Sequence, residues 1–131
     1  MSHFTTVETQ IKDLVILKQT LEAMGYLCHE DGRKVRGYQG QLLDADIVVD
    51  TKSSYDLGVV KTASGYSFVG DWDMLEVRAG IEQKTFLKAV NKNYAYKKVL
   101  AEVKKRGYQV VEEKTDQHQT VQLRVRKFTA E

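Results

Sequence analysis

Three groups of side chains have the types and spacing to do chemistry. The first is Cys28-His29 in "YLCHE". A thiol beside an imidazole is the usual pairing of nucleophile and base. The stretch reads as a strand, however, and strand neighbours point to opposite faces. The two cannot act on one atom, so the simpler reading is a small buried cysteine beside an edge histidine.

The second group is Asp71 and Asp73, which flank the one tryptophan in "VGDWDM". On an extended chain both carboxylates share a face and Trp72 takes the other. With Tyr66 upstream, these residues make a candidate small-ligand or divalent-cation site. A single acidic pair falls short of the oxygens that calcium or magnesium requires, so no metal ligand set is assigned. The competing reading is a strand end with solvated acids and Trp72 folded inward. Asp44, Asp46 and Asp50 in "LLDADIVVD" share a parity and read as the solvent face of a strand.

The third group is basic. Lys97, Lys98, Lys104, Lys105 and Arg106 could track phosphates, with Tyr94 stacking on a base. Cations at a helix C-terminus also favour the macrodipole. Arg124 and Arg126 alternate with Leu123 and Val125 as a half-exposed strand requires. No phosphate-binding glycine loop, HExxH or GxSxG occurs. No catalytic residue and no cofactor is therefore assigned.

These residues need elements to hold them. Phe4 to Glu8 reads as a first strand. In "QIKDLVILKQTLEAMG", Ile11, Leu14, Leu17, Leu21 and Met24 fall on one helical face, with Thr9 as N-cap and Gly25 at the C-terminal turn. "YLCHE" and "RKVRGY" then form a hairpin across Asp31-Gly32, a type I′ signal. "ADIVVDT", "LGVVKTA" and "YSFVGDW" predict a three-strand antiparallel meander, followed by a linker around Gly80. "YQVVEEK" and "TVQLRVRKF" close the chain as a second hairpin across "TDQHQ".

Between them lies "FLKAVNKNYAYKKVLAEVKKRGY". Phe86 and Val90 make one apolar stripe; Tyr96, Val99, Leu100 and Val103 make another, roughly opposite. One straight helix cannot bury both against a single sheet. Two helices are predicted, about 83–91 and 94–106, with a bend capped by Asn91 or Asn93. Tyr94 and Tyr96 then point about 200° apart. "LEAMGYLCHE" echoes "VKKRGYQVVE", which suggests a pseudo-repeat of helix–Gly-Tyr–hairpin. The expected fold is a single α+β domain over residues 1–131, mainly antiparallel sheet with helices packed on one face.

Length and composition fit a soluble globular domain of this size. A net charge of +2 is too small to argue for nucleic acid or an anionic membrane. One cysteine permits no internal disulfide and no multi-thiolate zinc site. No secretory signal or membrane-length apolar run is present, so a cytoplasmic protein without membrane insertion is expected.

The order of the landmarks "MSHFTTVETQIKDL", "YDLGVV", "YSFVGDWDM", "FLKAVNKNYAYKKVL", "RGYQVVEE" and "VQLRVRKF" resembles one family. It is the family named for hypothetical chloroplast reading frame thirty-five, of cyanobacteria and algal plastids. The "SHF" start and the "NYAY" segment are its most particular parts. Asp56-Leu57-Gly58-Val59 and the early Trp72 depart from the pattern. The resemblance implies an oxygenic phototroph, a location in cyanobacterial cytosol or plastid stroma, and a role in photosynthetic assembly or regulation. It transfers no catalytic residue.

The leading expectation is a non-enzymatic accessory or adaptor module that binds a protein partner through His3, Phe4, Tyr94, Lys97 and Lys98. RNA binding through the basic C-terminal third, and a small-ligand or metal site at Tyr66, Asp71 and Asp73, are the alternatives. A final strand left at an edge could pair with a second copy.

Overall fold

The computed structural model describes residues 3–118 and 120–127. Phe128, expected at the end of the last strand, lies outside them. The chain forms two compact units, Met1–Val90 and Asn91–Glu131.

The first unit is built on a five-stranded antiparallel sheet. Its strands are β1 (Thr5–Val7), β2 (Leu27–His29), β5 (Ile47–Asp50), β6 (Leu57–Thr62) and β7 (Gly65–Gly70). The spatial order is β1-β7-β6-β5-β2, so the predicted meander forms the centre of the sheet. A small pair, β3 (Val35–Arg36) and β4 (Leu42–Leu43), forms a separate ribbon.

Alternation sorts the strand residues into two faces. Ile47, Val49, Leu57, Val59 and Phe68 lie on one, and all are fully buried. Leu17 and Leu21 of α1 (Leu14–Ala23) and Leu75 of α2 (Trp72–Ala79) are buried as well, and Leu75 and Leu57 both close on Gly70 of β7. Phe86, near the start of α3 (Gln83–Lys105), stands edge-on to Phe68 at 5.2 Å and to Tyr26 at 5.8 Å between ring centroids. Edge-to-face rings at such spacings attract beyond the area they bury. The helices thus occupy one face, as expected. On the other face, Val48, Gly58 and Val69 align across neighbouring strands, and Val35 of β3 covers Gly58.

Several local expectations are corrected. The N-cap of α1 is Asp13, which accepts from the Ile16 N–H at 3.1 Å. The Thr9 hydroxyl instead donates to the Tyr66 carbonyl, which ties the incoming chain to β7. The predicted hairpin across Asp31-Gly32 does not form, because β2 pairs with β5 and β3 with β4. A type I′ turn needs positive φ at both central residues, and here Gly32 has it while Asp31 does not. The Asp31 carboxylate accepts from the Arg33 N–H, and the chain turns off the sheet. In the repeat, helix, left-handed glycine and tyrosine recur at Gly25-Tyr26 and Gly107-Tyr108, but only the second is followed by a hairpin. The linker expected after Met74 is α2, capped by Asp71 and ended by left-handed Gly80.

The second unit comprises the remainder of α3 and a hairpin of β8 (Tyr108–Thr115) and β9 (Val121–Lys127). The predicted break at Asn91–Asn93 is absent: α3 is one helix of 23 residues. The two stripes need no break between them because they serve different units. Phe86 and Val90 are buried in the first unit, while Tyr96 bonds to Glu113 of β8.

Candidate functional site

Two concave regions stand out, one in each unit. In the first unit, a cleft of about 700 Å³ is lined by charged side chains. Its floor is the end of the sheet, where His29, Val48 and Asp50 share a face. Its wall is the segment from Asp31 to Arg36.

Asp56 fixes that wall. Its side chain is only 6% exposed, whereas that of Arg36 is 49% exposed. Arg36 Nε donates to Asp56 Oδ2 at 2.8 Å and Nη2 to Oδ1 at 2.9 Å, a bidentate fork. Nη2 also donates to the Ser53 carbonyl. The Arg36 N–H also donates to Asp56 Oδ2, and the backbones bond directly through the Asp56 N–H and the Arg36 carbonyl. Arg33 forms a second fork, with Nε and Nη2 on Asp31. Those bonds hold the Asp31 carboxyl well below the usual carboxylate range.

In the second unit, a groove of about 450 Å³ runs between helix and hairpin. Lys92, Ala95, Tyr96 and Val99 line one side at helical spacing, and Thr120, Val121 and Leu123 of the β9 side line the other. The Tyr96 hydroxyl donates to Glu113 Oε2 at 2.7 Å, which raises its pKa above the ordinary tyrosine value. No described residue from Asn91 onward is buried. Val99 is 48% exposed, and Tyr108, Val111 and Val125 are also exposed. Residues 91–131 carry ten Lys and Arg against five Asp and Glu, a net +5; residues 1–90 carry ten against thirteen, a net −3. The modest total of +2 conceals this asymmetry.

The expected site residues fall in different places. His3 is exposed ahead of β1. Phe4 is half-buried, with its ring over Gly37, where an added Cβ would stand 2.5 Å from Phe4 Cζ; that packing explains the residue. Tyr94, Lys97 and Lys98 lie on α3 away from the helical face that lines the groove.

Tyr66, Asp71 and Asp73 are not brought together. Tyr66 is near the start of β7 and Asp71 is beyond its end, about 17 Å along an extended chain. The extended reading of the acids is corrected as well. Asp71 is buried at the N-terminus of α2, accepting from the Met74 N–H, while Asp73 is exposed in the first turn. Trp72 is indeed folded inward, and its Nε1 donates to the Thr5 carbonyl. Among the described residues, no three His, Cys, Asp or Glu side chains are placed to share a metal ion. Cys28 is half-buried, and burial pushes its thiol up to about 11.

Neither the cleft nor the groove was among the sequence candidates. Asp31-Gly32-Arg33 was visible only as a turn, and Asp56 lies 20 residues from Arg36. The groove had one trace, the stripe Tyr96, Val99, Leu100 and Val103, which reads equally as core.

A two-unit α+β chain with a central antiparallel sheet is matched by one described family. Residues 20–124 match the family "Protein of unknown function (DUF1257)", and the chain belongs to it. It is 30% identical over 128 residues to "Uncharacterized protein ycf35" of Cyanophora paradoxa, covering 98% of each chain. It is 29% identical to the protein of that name from Guillardia theta and 25% identical to that from Pyropia yezoensis, with the same coverage. These relatives bear out the resemblance carried by the sequence landmarks. No solved structure matches. No helix among the described residues is long and apolar enough to cross a membrane.

Proposed function

We propose that this protein is a non-enzymatic adaptor of oxygenic phototrophs whose second unit docks an acidic, amphipathic segment of a partner protein. The observation that carries this reading is the open groove of Ala95, Tyr96, Val99, Val121 and Leu123 in a unit of net charge +5. No described residue from Asn91 onward is buried, which leaves apolar surface available to a partner. Apolar anchors of the partner fill the groove, and its carboxylates are attracted by the net positive charge of the unit, with Lys92 at the groove itself. A role in photosynthetic assembly or regulation, in cyanobacterial cytosol or plastid stroma, is part of this proposal and is what the family resemblance implies. Tyr94, Lys97 and Lys98 then serve as a second, peripheral contact.

A peptide-display selection on the immobilised full chain tests this, followed by affinity measurement of the selected peptides on Val99→Glu. Enriched peptides should combine leucine-like anchors with Asp and Glu, and Val99→Glu should weaken them about tenfold or more. Failure to enrich, or enriched peptides that bind Val99→Glu equally well, would overturn the reading. A single-stranded RNA that binds with a steep salt dependence and is indifferent to Val99→Glu would replace it with the basic-surface alternative.

A further inference from the structure

We infer that the cleft of the first unit binds a small zwitterion of the α-amino-acid type, with the ligand carboxylate on Arg33 and Arg36 and its ammonium on Asp50. Both guanidinium groups spend Nε and Nη2 on a carboxylate, Arg33 on Asp31 and Arg36 on Asp56. None of these bonds uses Nη1. Arg33 is thereby held in fixed orientation with its Nη1–Nη2 end open to a carboxylate, while Arg36, whose Nη2 also donates to the Ser53 carbonyl, keeps Nη1 alone to donate. Asp50 accepts one bond, from the Lys52 N–H to Oδ1 at 2.8 Å, and Oδ2 remains to accept. Asp50, Arg33 and Arg36 all line the same cleft.

Charge balance then selects the ligand. Arg33 and Arg36 are paired in the lining with Asp31 and Asp56, Lys34 is paired with Asp44 outside it, and Asp50 is the acid in the lining that no basic side chain among the described residues pairs. A simple anion would meet three carboxylates, and a simple cation three basic groups. A molecule bearing both charges leaves the balance unchanged and pairs each uncommitted group with its opposite. His29, on the floor beside Val48, is a further donor or acceptor for a polar side chain. The site lies wholly within residues 29–56 and is independent of the groove in the second unit.

Isothermal titration of the full chain with each common amino acid tests the inference. Every binder is then compared with its N-acetyl and carboxamide forms and with inorganic phosphate. At least one free amino acid should bind saturably, and blocking either charge should weaken it about tenfold or more. Asp50→Asn should weaken the free amino acid comparably while leaving its N-acetyl form unchanged. Absence of saturable binding by any amino acid overturns the proposal. So does phosphate or the N-acetyl form binding as tightly as the parent, which would mark a plain anion site. If Asp50→Asn fails to fold, the comparison of blocked ligands on the unaltered chain still decides.

Discussion

The Arg36 guanidinium and the Asp56 carboxylate share two parallel hydrogen bonds, although one side chain is half in solvent and the other almost wholly removed from it. The same carboxylate accepts the Arg36 N–H, so Asp56 clamps β3 to the loop that leads into β6. Loss of Asp56 frees a backbone donor and a guanidinium at once. Asp56→Ala should cost about 2–3 kcal/mol in urea denaturation. Arg36→Lys keeps the charge and loses the fork, so it should also destabilise, by a smaller amount. A neutral Asp56→Ala would show that the clamp contributes nothing net.

Gly58 is required for the ribbon to sit on the sheet. A Cβ there would stand 2.6 Å from Val35 Cγ2 and 2.9 Å from Val69 Cγ1, both on buried side chains. Gly58→Ala should therefore destabilise by about 1–3 kcal/mol through overpacking. Combined with Val35→Ala, it should cost less than the two single changes added together, because the nearer of the two colliding methyls is gone. Thermal or chemical unfolding of the three variants checks this.

Burial raises the Cys28 thiol from its ordinary value of 9.0 to about 11. The folded chain holds this proton more tightly than the unfolded chain. The resulting stability is fully present below pH 9 and is lost as pH rises through about 11. At pH 8 the folded thiol should react with iodoacetamide about a hundredfold more slowly than the urea-unfolded thiol. Equal rates would show that the thiol is not held in its protonated form.

The continuity of α3 has its own test. Asn91 lies inside the helix and is exposed. Asn91→Ala should stabilise by a few tenths of a kcal/mol, since alanine is the better interior residue. If Asn91 capped a second helix, the same change would cost about 1 kcal/mol. The sign of the effect separates the two arrangements.

Legibility followed the range of the interaction. The helical stripe Leu14, Leu17, Leu21 and the meander from Ile47 to Gly70 were readable because burial imposes periods of 3.6 and 2 on neighbouring residues. The left-handed glycines at Gly25 and Gly107 were readable because each ends its own helix. Asp71-Trp72-Asp73 misled because alternation fits a strand, while Asp71 also fits an N-cap; the choice depended on where β7 ended. The cleft was hidden because Asp50 and Asp56 are distant in sequence from Arg33 and Arg36.

From the residues alone came the α+β class, the family resemblance and the apolar faces of most elements, since each reflects a repeat or an order along the chain. Folding chose the partners. It gave β2 to β5 instead of β3, let the one helix α3 serve two different units, and stood Arg36 on Asp56 in the cleft that Asp50 also lines. Periodicity records which side of an element is buried. It does not record against what, because that choice is settled by contacts between residues far apart in the sequence.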